Sequence, residues 1–218
     1  MTYDELIRDE SIRTYITAAD RSLSELGYTE HSFAHVTRVA TNAAKILSTL
    51  GYTPHEVELA KIAGYLHDIG NLVNRTDHSQ SGAVMVFRIL DRMQMPATDI
   101  AEIVTAIGNH DEGTGIPVNP ISAALILADK SDVRRSRVRN TDISSFDIHD
   151  RVNYSVERAD LSLDLESKEI RLHLIVDTEI GSVMDYFEIF LGRMMMCRKA
   201  AERLGMQFRL SINQQSLL

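Results

Sequence analysis

His67 and Asp68 stand side by side in Tyr65-Leu66-His67-Asp68-Ile69-Gly70, where an apolar helical pattern runs into a glycine. An imidazole and a carboxylate therefore emerge together where the backbone turns. Donors of the same kinds recur along the chain: His31 and His35 upstream, His78 and His110 downstream, and Asp129 at the edge of the apolar run Ile121 to Ala128. Neutral imidazole nitrogen and carboxylate oxygen are donors that hold a divalent cation of hard or borderline character. Cys197 is the sole cysteine, so neither an internal disulfide nor a cysteine-based zinc cluster is available. A bound metal would have to be held by His and Asp.

The elements that must position these donors are helices. Leu6, Ile7, Ile12, Tyr15, Ile16, Ala19, Leu23 and Leu26 recur at helical spacing, which predicts a packing helix over residues 4 to 26, stopped by Gly27. A second helix, 32 to 50, carries Val36, Val39, Ala40, Ala43 and Leu47; His31 and His35, four apart, share a face at its start. Pro54 opens a third that ends in His67-Asp68. Residues 71 to 77 read as a loop, His78 begins a fourth helix through Leu90, and a fifth after Pro96 leads to Asn109-His110. Five separate helices thus each bring a metal-type donor to or near an end.

After about residue 140 the apolar period changes from helical to alternating. Leu161, Leu163 and Leu165, then Ile170, Leu172, Leu174 and Val176, predict a β-hairpin around Ser167-Lys168. A long helix over Ser182 to Leu204, rich in Met and Phe, precedes a last short strand at Phe208 to Ile212. The expected architecture is mainly α: a helical metal-binding domain over residues 1–140, with a small C-terminal α+β appendage (β-hairpin, helix, strand) over 141–218 packed on it. The Met194-Met195-Met196 cluster is read as core or as a dimer face, and a homodimer is a further expectation.

At 218 residues the chain is long enough to bury a full core. Its net charge of -8 argues against general nucleic-acid binding, which needs a basic surface. The start is acidic and polar and no long uncharged apolar segment follows, so a cytoplasmic protein without a membrane partner is expected.

Read in order, His35, His67-Asp68, His78, His110 and Asp129 resemble the ligand order of the HD-domain metal-dependent phosphohydrolase superfamily, over roughly residues 30 to 137. His35-Val36-Thr37-Arg38-Val39-Ala40 looks like the first-histidine helix, His67-Asp68-Ile69-Gly70 matches the signature, and Leu127-Ala128-Asp129-Lys130 looks like the final aspartate and its helix. The resemblance implies a first metal held by His35, His67, Asp68 and Asp129, and a second held by His78 and His110 with Asp68 bridging. It also implies a catalytic role for Asp68, orienting the attacking water. His31 lies one turn before His35, where some relatives have an extra acidic ligand. The implied cofactor is one or two divalent ions (Mn, Fe, Co, Ni or Zn, with Mg a further option), and the implied substrate is a small phosphorylated molecule, nucleotide-like, cleaved at a phosphomonoester or phosphodiester. A non-catalytic metal- or nucleotide-binding sensor is the competing expectation.

Two subfamilies fit less well. Signalling enzymes that cleave cyclic di-GMP carry a lysine after the HDIG signature and a paired histidine before a Gly-Tyr-Pro motif, whereas this chain has Asn71, a single His110 and Gly115-Ile116-Pro117. Stringent-response hydrolases place a Glu-Asp pair shortly after the His-Asp pair, where Gly70-Asn71-Leu72 stands here.

Taken singly, each donor has an ordinary explanation as a buried histidine, a helix-start residue or a helix-end charge; their ordered combination is what favours metal. Lys130, Arg134 and Arg137 at i, i+4 and i+7 would share a helix face beside Asp129 and serve as a substrate-phosphate clamp, with Arg38 as a further candidate. Lys130 and Glu112 are the candidates for a general acid. The second His-Asp pair, His149-Asp150, sits in a polar connecting stretch and is read as incidental.

Overall fold

In a computed structural model, which describes residues 1–217, the chain opens with α1 (Tyr3–Leu6) and α2 (Glu10–Glu25). The predicted first helix is therefore split. Asp9 takes an extended conformation and its side chain accepts from the Ile12 amide at 3.0 Å, so an N-cap restarts the helix where the apolar spacing alone suggested continuity. There follow α3 (Phe33–Thr49), α4 (Pro54–Leu66), α5 (His78–Arg92), α6 (Ala97–Gly108) and α7 (Pro120–Lys130). The segment expected as a loop after the His-Asp pair begins with a 3-10 turn, Ile69–Leu72.

Helices α3, α4, α6 and α7 pack on one another and α5 packs on α6. The closest approach of α3 to α4 is at Gly64, where a Cβ would lie 2.7 Å from the Ala40 Cα. The apolar run of α7 is buried throughout from Ile121 to Ala128, which explains its lack of a polar face: neighbouring helices cover it on several sides.

The C-terminal region contains α8 (Ile148–Ser155), strands β1 (Val156–Asp164) and β2 (Glu169–Val176), the long α9 (Val183–Arg203), β3 (Gln207–Ile212) and the two-residue β4 (Gln215–Ser216). The fold is thus mostly helical with a small strand-containing C-terminal part, as the alternation of period predicts. Strands β1 and β2 form the expected antiparallel hairpin, pairing Leu161 with Leu172 and Leu163 with Ile170; Lys168 closes the turn at φ 54°. Strand β3 pairs parallel to β2, which needs a crossover, and α9 supplies it while packing against both β3 and α7. Ile170, Leu172, Leu174 and Val176 are buried along one face of β2. Met194 and Met196 of α9 are buried in the core, which decides between the two readings of that cluster for those residues. Among the described residues no helix is long and apolar enough to cross a membrane.

Two sequence expectations are corrected. Residues 149 and 150 are helical, within α8, because Asp147 caps that helix by accepting from the Asp150 amide at 2.8 Å. The face expected for Lys130, Arg134 and Arg137 does not form: α7 ends at Lys130, Arg134 is extended (φ -161°, ψ 147°), and Arg135–Arg137 make a 3-10 turn.

Candidate metal centre

His35 lies in the first turn of α3, and His67 is the C-cap of α4, followed directly by Asp68. His78 is the first residue of α5, His110 lies just beyond α6, and Asp129 is in the last turn of α7. The turn at Gly70 brings α5 in: a Cβ there would lie 1.9 Å from the His78 carbonyl oxygen and 2.4 Å from the Gly82 amide. Only a residue without a side chain permits this approach, and through it His78 reaches Asp68.

The histidine rings share one hydrogen-bonding pattern. Nδ1 of His67 donates to the Gly64 carbonyl at 2.9 Å, that of His110 to Ile107 at 2.6 Å, and that of His78 to Arg75 at 3.1 Å. Carbonyls only accept, so each Nδ1 carries a hydrogen and each Nε2 is left as the donor atom for another partner. His35 follows the same rule with a carboxylate, Nδ1 to Asp132 Oδ2 at 2.7 Å.

The freed Nε2 atoms converge. His35 and His67 approach to 3.3 Å and His78 and His110 to 3.2 Å. Asp68 divides its carboxylate between the two pairs: Oδ2 is 3.5 Å from His35 and 3.2 Å from His67, whereas Oδ1 is 3.5 Å from His78. Asp129 Oδ1 completes the first group, 3.4 Å from His35 and 3.6 Å from His67. Ligand atoms of His35, His67 and Asp129 lie within 4.8 Å of one another, as do those of His67, Asp68 and His110.

These groups fit a metal. With Nδ1 hydrogen-bonded, neutral His78 and His110 face each other lone pair to lone pair, an arrangement that a cation between them relieves. Donor separations of 3.2–3.6 Å suit ligands about 2.0–2.2 Å from a shared ion. The electrostatics agree. Burial pushes the His110 and His78 imidazoles down, and His67 and Lys130 lower His110 further, so both favour the neutral, ligating form. Burial acts against a charge on His67 too, but Asp68 and Asp129 outweigh it and raise it to about 10. In the metal-free chain a proton on His67 thus stands in for part of the cation's charge. Burial disfavours charge on Asp68 and Asp129, yet their cationic and hydrogen-bonding neighbours, His67 above all for Asp68 and Lys130 for Asp129, hold both carboxyls well below the ordinary range.

His31 stands outside these groups. Its Nδ1 donates to Thr29 at 2.6 Å and its ring meets His35 edge-on with centroids 5.5 Å apart. The four cationic residues expected at the substrate phosphate are dispersed. Lys130 is buried, with Nζ 2.6 Å from Asp129 Oδ2 and 3.4 Å from Glu112 Oε1. Arg134 binds Asp132 Oδ1 at 3.0 Å and Glu30 Oε2 at 2.9 Å, and half-exposed Arg38 also faces Asp132 at 3.4 Å. Arg137 is buried and donates to the carbonyls of Glu30 and Asp132 at 2.9 and 2.8 Å. Arg134 and Arg38 therefore serve chiefly to hold Asp132. Glu112, which burial would raise, is held at about 2 by Lys130 and Arg193, so it has no proton to give as a general acid near neutrality.

A cavity of about 380 Å³ opens beside the centre, with Tyr28, His31, Arg75, Arg137, Asn153 and Arg193 in its wall. Arg75 reaches it from the loop before α5, with Nη1 3.5 Å from His78 Nε2, and Arg193 reaches it from α9, with Nε 2.7 Å from Glu112. Sequence reasoning missed Asp132, Arg75 and Arg193. Asp132 follows Asp129 by three residues, a spacing that could have flagged it; nothing local to Arg193 points across the fold to this site.

The chain is similar to an uncharacterized protein of Methanocaldococcus jannaschii, MJ1020, at 28% identity over 205 residues, 83% of this chain and 78% of the relative. It is also similar to the crystal structure of a predicted HD superfamily hydrolase from an uncultured Thermotogales bacterium, at 26% identity and a TM-score of 0.45, over 62% of this chain and 75% of that one. The converging His and Asp donors support metal-dependent hydrolase activity in general, and with the HD domain model matching residues 32–151, more than half its length, the chain belongs to the HD domain family.

Proposed function

We propose that the protein is a metal-dependent phosphohydrolase that cleaves a phosphomonoester or phosphodiester of a nucleotide-like molecule. The observation that carries this reading is the cavity whose wall places the guanidiniums of Arg75, Arg137 and Arg193 beside the ligand cluster. In a chain of net charge -8, three arginines lining one cavity beside the donor cluster favour an anionic ligand, and guanidinium forks match phosphate oxygens. One or two divalent ions held by His35, His67, Asp68, His78, His110 and Asp129 would supply Lewis acidity and an ionised water. The chain's own part is to orient. Asn71 Nδ2 donates to both the backbone carbonyl and Oδ1 of Asp68, at 2.9 and 3.0 Å, and so fixes the carboxylate that faces both histidine pairs. His31, held neutral chiefly by burial with Arg137 adding to the effect, lines the cavity without adding charge.

The test is phosphate release from a nucleotide panel with Mn, Fe, Co, Ni, Zn or Mg. Asp68→Ala is expected to abolish turnover while circular dichroism stays native. Unchanged turnover in that variant would sink the proposal, and tight nucleotide binding without turnover under any ion would move the sensor reading to the front.

A further inference from the structure

The cavity's lining combines two chemically unlike sets of side chains. Arg75, Arg137 and Arg193 are cationic. Helix α8 and its cap contribute Asp147, Asp150 and Asn153, and the turn that holds Arg137 packs on α8. Arg193 pairs with Glu112 and Arg137 faces Asp132, so neither is paired with Asp147 or Asp150.

Asn153 is 6% exposed, and its Nδ2 donates to the His149 carbonyl at 2.8 Å. Among the described residues nothing donates to its Oδ1, and that oxygen keeps solvent access, so it is open to a hydroxyl donor from a ligand in the cavity. Asp150 adds a half-buried carboxylate that accepts only one long bond, from Asn140 Nδ2 at 3.3 Å. Anion-receiving arginines and open acceptors in one cavity suit a ligand that is anionic at one end and rich in donors at the other. Hydroxyl groups are such donors. The volume, about a dozen waters' worth, suits one small ligand of mononucleotide size.

We propose that α8 is the specificity element of the site: Asn153 Oδ1 and the Asp150 carboxylate accept from hydroxyls of a polyhydroxylated phosphate ester, a sugar or nucleoside phosphate, whose phosphate is received by Arg75, Arg137 and Arg193. This rests on the phosphohydrolase reading and narrows it. It also gives His149-Asp150 a place at the site, in the lining of the same cavity as the arginines.

The experiment is calorimetric binding to the full metal-loaded chain of phosphonates, which are not hydrolysed: methylphosphonate, the phosphonate analogue of ribose 5-phosphate, and a nucleoside 5′-phosphonate. At least one hydroxyl-bearing probe is expected to bind about tenfold or more tightly than methylphosphonate. The tighter of the two identifies sugar or nucleoside. Asp150→Ala and Asn153→Leu should each shrink that preference to about threefold or less; Asp150, being half-buried, keeps the test alive if the Asn153 variant does not fold. Equal affinity for all three probes, or a preference intact in Asp150→Ala, would overturn the inference. Phosphate release from the parent esters is measured in parallel. Hydroxyl-dependent binding without release defeats the hydrolase reading alone, whereas release without hydroxyl preference defeats only this one.

Discussion

Asp132 Oδ2 accepts the Nδ1 hydrogen of His35 at 2.7 Å, so the first histidine of the centre is aimed by a carboxylate outside the converging donors. Asp132 is itself buried and held by Arg134, Arg38 and Arg137. A carboxylate behind a ligating imidazole fixes its tautomer and strengthens it as a donor. Asp132→Ala is therefore expected to weaken metal binding by about 10- to 100-fold while leaving every ligand in place. Competition against a chelating dye measures this, and an unchanged dissociation constant would show that Asp132 only braces the arginines.

Removing a ligand of the second pair should act differently. His78 and His110 meet each other and His78 meets Asp68 Oδ1, while His35 and Asp129 belong to the other group. Elemental analysis of reloaded protein is expected to find about two ions per chain in the wild type and about one in His110→Ala. An equal metal content in both would mean that a single ion is held by the first group.

The metal-free protein should respond to alkali more than the loaded one. His67 is raised from its ordinary value to about 10, because the neighbouring Asp68 and Asp129 outweigh the effect of burial. A group raised on folding stabilises the fold fully below its unfolded pKa, near 6.5, and that contribution fades as pH climbs through about 10. Metal binding requires neutral His67 and must release this proton. Two measurements follow: proton release on metal uptake at pH 7, seen as buffer-dependent calorimetric heats, and a gap in Tm between loaded and metal-free protein that widens from pH 6.5 to 10. A constant gap would contradict a protonated His67.

How much of this was legible beforehand depended on whether the cause was local. The five donor-bearing helices and the hairpin carry their apolar periods and caps in consecutive residues, so Thr53-Pro54 and Ser182 mark real helix starts. The split at Asp9 was hidden because the apolar face of α2 continues that of α1. The shared helix face expected of Lys130, Arg134 and Arg137 failed at the level of backbone: it assumed that α7 continues, whereas the chain leaves the helix after Lys130 and Arg134 turns to Asp132. Arg193 lies about 80 residues along the chain from Glu112, the carboxylate it binds, and only the crossover between β2 and β3 that seats α9 against α7 brings it there. Spacing along the chain contains no record of that contact.

Gly70 tests whether the signature glycine is about packing. A Cβ there would meet backbone atoms of His78 and Gly82, which cannot rotate away as a side chain would. Gly70→Ala should force α5 outward, costing about 3 kcal/mol and lowering Tm by roughly 6–12 °C. Because α5 carries His78, the second ion should be lost as well. A variant with native Tm and full metal content would show that the turn adapts at no cost.

Lys130 distinguishes a supporting cation from a substrate contact. Its ammonium lies 2.6 Å from Asp129 Oδ2, on the oxygen opposite the one that faces His35 and His67, and it also faces Glu112. Burial acts against its charge, but Asp129 and Glu112 prevail and raise it, so it is a poor proton donor. Lys130→Met keeps much of the volume and leaves the half-buried Asp129 and Glu112 without the ammonium they share, Glu112 keeping only Arg193, which should destabilise the fold by about 3 kcal/mol. With that ammonium gone, Asp129 takes up protons more readily, and metal retention should fail at a higher pH than in the wild type. A phosphate clamp or general acid at this position would behave otherwise: metal content and its pH dependence would match the wild type while kcat or KM alone changed. Titrating bound metal against pH in both proteins separates the two roles without reference to any substrate.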